Sequence, residues 1–326
     1  MIISRTPFRI SFAGGGSDLP SFYTQEQGAV LSTSIDKYIY IAIHKFFDSD
    51  KIQLKYSKTE LVDSFSDIKH PIFRECLSML NIKGVDINSI ADIPAGTGLG
   101  SSSSFTVGLV NVLNAYKNQY SSQEYLAATA CDIEINRLKE PIGKQDQYAA
   151  AYGGLNFIKF NHDGYVDVEK IVMNPDIKQQ LDENLIMVYT GDTRSAGSIL
   201  QHQNQAMSQQ EKRQIQKEMV QQAFELRKLL QNNQIDDFGR MLHEGWMLKK
   251  TLTKGISNSA VDDLYQKGLD SGALGGKLLG AGGGGFILFY CPKEKQDKFR
   301  KQMSNHRELE FCFDNSGAKI IYITNN

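Results

Sequence analysis

The sequence predicts an α+β protein of two domains. At 326 residues the chain is long for one core and comfortable for two. Short strand-like runs mix with helices in the first half, while helical stripes in the second half are segregated beside strands read as antiparallel. Polar residues and Pro175 mark the junction, giving expected domains 1–175 and 176–326.

Taken in order, residues 9–13 read as a strand ahead of Gly14-Gly15-Gly16, residues 38–45 as a second, and residues 85–93 as a third. The third leads into Pro94-Ala95-Gly96-Thr97-Gly98-Leu99-Gly100-Ser101-Ser102-Ser103-Ser104-Phe105, a phosphate cradle. Alternating glycines let backbone N–H groups approach an anion without Cβ interference, and the following helix adds unpaired donors and a positive dipole end. Phe105, Val107, Leu109, Val110, Val112 and Leu113 anchor that helix in the core. The run is not a Walker A loop, because no Lys-Ser or Lys-Thr follows its last glycine.

Ser121-Ser122-Gln123-Glu124 has capping-box spacing, and the helix it opens runs until Pro141 and Gly143. Lys144-Gln145-Asp146-Gln147 then forms a loop. Residues 155–160 read as a strand closed by the turn Asn161-His162-Asp163-Gly164. In the second half, residues 185–189 are a strand, and Ile215, Met219, Ala223, Leu226 and Leu230 form a core-facing stripe. Helices over 236–252 and 260–269, a strand over 286–290, and a final hairpin, 309–313 with 319–323 around Asp314-Asn315-Ser316-Gly317, complete the chain. The glutamines between 201 and 222 read mostly as a solvated helix face.

With 36 basic and 37 acidic residues, the net charge of −1 argues against nucleic acid or an anionic membrane as partner. A small-molecule partner fits better. Cys76, Cys131, Cys291 and Cys312 lie too far apart for a Cys-x-x-Cys pair and have no histidine at ligand spacing, which argues against a disulfide framework and a zinc site and leaves core or surface thiols. Arg5 interrupts the N-terminus before a signal peptide could form, and no run reaches the roughly 20 apolar residues of a membrane span. A cytoplasmic location is expected. Gly280-Ala281-Gly282-Gly283-Gly284-Gly285 matches Gly-x-Gly-x-x-Gly, but a strand follows it where a dinucleotide fingerprint needs a helix. A loop folding over a nucleotide is the better reading, and a tight connection into the strand is the alternative.

Three motifs in order resemble those of the GHMP kinases, named for galactokinase, homoserine kinase, mevalonate kinase and phosphomevalonate kinase. They are the stretch from Thr6 to Pro20 with its triple glycine, the cradle, and Lys277-Leu278-Leu279-Gly280 through Phe286. The resemblance implies an N-terminal domain like the second domain of ribosomal protein S5 and a ferredoxin-like C-terminal domain. It also implies ATP and Mg2+ as cofactors. Arg-Ile-Ser-Phe-Ala-Gly-Gly-Gly-Ser-Asp-Leu-Pro, with Tyr189-Thr190-Gly191-Asp192-Thr193-Arg194-Ser195-Ala196, looks most like the branch that phosphorylates D-glycero-D-manno-heptose 7-phosphate at its anomeric hydroxyl. A kinase of a free sugar such as fucose, and a nucleotide-binding regulator without catalysis, are the alternatives.

The same resemblance assigns roles. Asp146 matches the catalytic base and Arg9 the basic residue that stabilises the transition state; by themselves they read equally as a turn aspartate and a surface arginine. Residues 94–103 (Pro94, Ala95, Gly96, Thr97, Gly98, Leu99, Gly100, Ser101, Ser102 and Ser103) hold the nucleotide. Ser102 and Glu134 match the Mg2+ ligands. Gly15, Gly16, Ser17 and Asp18, with Gly283 and Gly284, are expected at the substrate. Arg194 is the leading cation for a sugar phosphate, with Lys144 and Arg137 as alternatives. A monomer or homodimer is expected.

Overall fold

The computed structural model describes residues 1–191 and 196–324. The strands are β1 (Ile2–Ala13), β2 (Gly28–Lys45), β3 (Ile52–Lys55), β4 (Thr59–Val62), β5 (Val85–Ala91), β6 (Leu155–Phe160), β7 (Val166–Lys170), β8 (Leu185–Tyr189), β9 (Gly275–Leu278), β10 (Phe286–Tyr290), β11 (Glu308–Leu309), β12 (Phe313–Asp314) and β13 (Lys319–Ile323). The helices are α1 (Pro20–Tyr23), α2 (Pro71–Leu80), α3 (Ser101–Tyr116), α4 (Gln123–Cys131), α5 (Gln145–Tyr152), α6 (Pro175–Glu183), α7 (Ala196–Ala206), α8 (Gln210–Gln231), α9 (Phe238–Leu252), α10 (Ser259–Asp270) and α11 (Gln296–Gln302). The fold is α+β, as the sequence predicts.

One sheet runs β13-β1-β2-β5-β3-β4, with β6, β7 and β12 joined through β2; the other runs β11-β8-β10-β9. The long β2 serves both halves of the first sheet, because Gly28–Thr33 pair with β6 and Ile39–Lys45 with β5. Across its face lies α3, buried from Ser103 to Asn114. Ser104 Oγ donates to the Pro7 carbonyl and Ser4 Oγ to Gly108, each at 2.9 Å, so the cradle helix is bolted to β1. A rigid helix start follows.

Several local expectations change. The final hairpin does not form: β13 pairs with β1 and β12 with β2, so the C-terminal residues return to the first sheet. The free edge of β1 outcompetes the local turn. Ser122, not Ser121, caps α4 by accepting the Tyr125 N–H, and Glu124 instead accepts hydrogen bonds from Tyr148 and Tyr152. The helix then widens into a π turn over Asp132–Arg137. Asp146 stands in the first turn of α5 and not in a loop. Among the glutamines, Gln203 and Gln216 are buried. All four cysteines are free thiols.

Candidate active site

A cavity of about 970 Å3 opens where the cradle, the triple-glycine loop, α5, α7 and α9 converge, at the upper end of the usual size for a small-molecule site. Cradle geometry depends on left-handed backbone at alternate positions. Gly98 has φ +83°, and a Cβ there would stand 2.6 Å from the Leu279 carbonyl oxygen; at Gly100, φ is +75° and a Cβ would crowd Arg9 and Asp146. Side chains at either position would push apart the loops that make the site.

Arg9 projects from β1 into the cradle. Its Nε and Nη2 donate to the two carboxylate oxygens of Asp146 at 2.8 and 2.7 Å, and Nη1 donates to the Gly98 carbonyl at 2.5 Å. One guanidinium therefore fixes both the glycine loop and the carboxylate, with the forked geometry that arginine provides. Asp18 lies beside them, 3% exposed, accepting the N–H groups of Gly16 and Gln145 at 3.1 Å. Burial raises its pKa, and the nearby Asp146 charge adds to the effect.

Ser102, in the first turn of α3, donates to Glu134 Oε1 at 2.8 Å, and Gln147 Nε2 donates to Oε2 at 2.7 Å. The π turn carries Glu134 to this position, and single widened turns of this kind often re-aim a side chain at a functional site. Burial pushes its carboxyl up to about 7. Among the described residues no cation pairs with it. A hydroxyl beside an uncompensated carboxylate is a hard-oxygen donor set that suits Mg2+ completed by phosphate and water.

Two buried lysines, which the sequence gives no signal to place in a site, also line the cavity. Lys249 on α9 donates to the Gly280 carbonyl, and Lys277 on β9 to that of Phe12. Burial, with help from the Arg9 charge, pushes Lys249 down to about 8 and Lys277 well below its ordinary value. Gln203 Nε2 also faces the cavity, buried and with no hydrogen-bond partner among the described residues. A lysine in an amphipathic helix and a glutamine in a glutamine-rich run look like surface residues, so only the packing exposes them. The opposite limb of the cavity is apolar and aromatic, walled by Ile39, Ile72, Ile93 and Phe105 with Tyr56 and His70.

Of the residues expected at the nucleotide, Pro94, Ala95, Gly96, Gly98, Gly100, Ser101, Ser102 and Ser103 line the cavity, as do Arg9, Gly15, Gly16, Asp18, Glu134 and Asp146. Others do not. Leu99 is core, and Thr97 is buried with Oγ1 on the Pro94 carbonyl. Ser17 spends its hydroxyl on the backbone of Ala29. Gly283 donates to the Ile256 carbonyl, and it and Gly284 stand outside the lining. Lys144 donates to Gly164 and Arg137 pairs with Asp132 at the surface, both away from the cavity. Arg194 lies outside the described residues. The 280–285 glycines connect β9 to its antiparallel neighbour β10, which excludes the dinucleotide fingerprint.

Residues 66–154 match the family described as GHMP kinases N terminal domain, and residues 226–308 match GHMP kinases C terminal. The chain belongs to the GHMP kinases. As a GHMP kinase it is a phosphotransferase with an alcohol group as acceptor. It is 28% identical to a D-glycero-alpha-D-manno-heptose 7-phosphate kinase of Campylobacter jejuni, over 98% of each chain. It is 27% identical to a bifunctional fucokinase/GDP-fucose pyrophosphorylase of Arabidopsis thaliana over 93% of this chain, but spans only 31% of that protein. The crystal structure of a D-glycero-D-manno-heptose 1-phosphate kinase from Bacteriodes thetaiotaomicron superposes with a TM-score of 0.81 over the whole of both chains at 26% identity. No helix among the described residues is long and apolar enough to cross a membrane.

Proposed function

We propose that this GHMP kinase transfers the γ-phosphoryl group of ATP to the anomeric hydroxyl of D-glycero-D-manno-heptose 7-phosphate, giving the 1,7-bisphosphate. The observation that carries the reading is the forked Arg9–Asp146 pair at the edge of a glycine cradle in one cavity. The apolar limb suits a purine, because His70 Nδ1 is a buried polar atom without a partner among the described residues and burial lowers the ring's pKa, keeping it neutral against a base edge. Triphosphate oxygens then meet the N–H groups of residues 96–103.

Asp146 accepts the acceptor hydroxyl's proton as that oxygen attacks the γ-phosphorus, the bond to the β,γ-bridging oxygen breaks, and ADP leaves with the bridging oxygen. Arg9 aims the carboxylate and neutralises charge on the transferred group. Ser102 and Glu134 would hold Mg2+, which supplies further neutralisation of the phosphate oxygens. Asp18 and Gln203 contact sugar hydroxyls. The heptose kinase relatives support a phosphorylated heptose as acceptor, and the fucokinase relative favours a free sugar as the second reading.

A substrate panel tests this. With ATP and Mg2+, heptose 7-phosphate should release ADP, while fucose and the dephosphorylated heptose should release much less. Equal turnover of a free sugar overturns the acceptor, and no turnover of any sugar overturns the reading.

A further inference from the structure

This inference rests on the kinase reading and deepens it by assigning side chains, beyond the cradle's main-chain donors, to a phosphate group of the reactants. Two of the buried cations that line the cavity lack a carboxylate partner of their own. Lys249 is 5% exposed and Lys277 6% exposed, and both line the cavity. Among the described residues neither pairs with a carboxylate: their Nζ atoms donate to the carbonyls of Gly280 and Phe12. The nearby carboxylates are already engaged, Asp146 by the forked Arg9 and Asp18 by two backbone N–H groups. A buried ammonium without a counter-ion is costly, and replacing it with an apolar side chain of similar volume would relieve the strain. Tethering a glycine loop needs only a neutral donor. Two such ammoniums opening on one cavity match an anionic ligand.

We propose that Lys249, with Lys277 beside it, forms a phosphate site in which the ammonium groups bind phosphate oxygens of the reactants. The phosphate oxygens have two sources here, the phosphoryl group in transfer and the ester phosphate of the acceptor. Lys249 reaches the cavity from α9 and Arg9 from β1, so the group would be held by elements far apart in the chain. The groups facing it are Arg9, Asp18 in the loop after β1, Asp146 on α5 and Lys277 on β9. Below a pH of about 8 Lys249 is a cation; above it the charge is lost.

The test is Lys249→Met, with Lys249→Gln as a second variant, assayed with ATP, Mg2+ and either a phosphorylated or a free heptose. Losing a charge-assisted contact to phosphate should lower kcat/KM for the phosphorylated acceptor by about 10²-fold. A fall in kcat on both acceptors assigns Lys249 to the transferred group; a rise in KM on the phosphorylated acceptor alone assigns it to the ester. Wild-type activity should decline as pH rises through about 8, and the variants should lack that limb. Melting temperatures of the variants should equal or exceed wild type, as expected when an unpaired buried charge is removed. Inorganic phosphate should raise the wild-type melting temperature and leave Lys249→Met unmoved. Wild-type kcat and KM in both variants on both acceptors, or an equal phosphate shift in wild type and variant, overturns the proposal. Should the wild type phosphorylate no sugar, the kinase reading fails while the phosphate shift still decides Lys249.

Discussion

Arg9 and Asp146, 137 positions apart, meet through two parallel hydrogen bonds of 2.8 and 2.7 Å. That fork brings β1 and α5 together at the cradle, since the remaining Arg9 nitrogen holds Gly98. Replacing the carboxylate by an amide sets an NH2 donor against a guanidinium donor. Asp146→Asn should therefore lose both the proton acceptor and the aim of Arg9. Turnover should drop by about 10² to 10⁴-fold, the range for general acid–base help. Nucleotide affinity, measured by calorimetry, should persist because the cradle donors are main-chain groups. A variant with near-wild-type turnover removes Asp146 from the proton step.

The contact between the second and third glycine loops gives a backbone prediction. At Gly98 a Cβ would stand 2.6 Å from the Leu279 carbonyl, in a conformation with φ +83°. Gly98→Ala should cost about 1–2 kcal/mol from the left-handed backbone alone, and more from the contact. Denaturant unfolding should read that loss. Nucleotide affinity should fall by about 10-fold or more as the donors are displaced. Unchanged affinity would mean that this loop does not hold the phosphates.

Much of this was legible in the sequence, for a physical reason. Cradle glycines are demanded by backbone geometry that no other residue adopts cheaply, so they stand out without neighbours. Long-range partners are harder. Asp314-Asn315-Ser316-Gly317 has good turn chemistry, yet β13 pairs with the edge of β1 and not with the strand before the turn. The family motif points to Glu134, but the π turn that delivers it to Ser102 is not readable from helical spacing. Gln203 sits beside the exposed His202 and Gln205, and Lys249 in a charged Lys-Lys pair, so their burial is decided by how α7 and α9 pack on the cavity and not by local composition.

Asp182 gives the pH dependence of stability at the C-terminal return. Its Oδ2 accepts the Phe313 N–H at 3.1 Å, while Oδ1 is buried without a partner among the described residues. Burial raises its pKa from 3.8 to about 6. The folded protein thus binds a proton that the unfolded chain has released, so this group's contribution to stability falls as pH rises from about 3.8 to about 6 and is level above that. Asp182→Asn retains an acceptor for Phe313 and removes the buried charge. Thermal melts should show the variant more stable than wild type at pH 7, with the difference shrinking toward pH 4. An identical pH profile in both proteins refutes the assignment.

Gln203 separates recognition of the acceptor from packing. Its Nε2 is buried, faces the cavity and has no partner among the described residues, and a Cβ on Gly16 would come within 2.5 Å of it. An unsatisfied buried donor weakens the fold, so Gln203→Leu should leave the melting temperature unchanged or raise it. A donor completed by a sugar hydroxyl behaves differently in the complex, where its loss leaves the hydroxyl unpaired and should raise the acceptor KM by about 10-fold or more. The KM for ATP should stay constant, because Gln203 lies on α7 at the triple-glycine side and not on the cradle. Steady-state kinetics with each substrate varied in turn distinguish the cases: an unchanged acceptor KM with a lowered melting temperature would make Gln203 a packing residue, and the sugar would then lie elsewhere in the cavity.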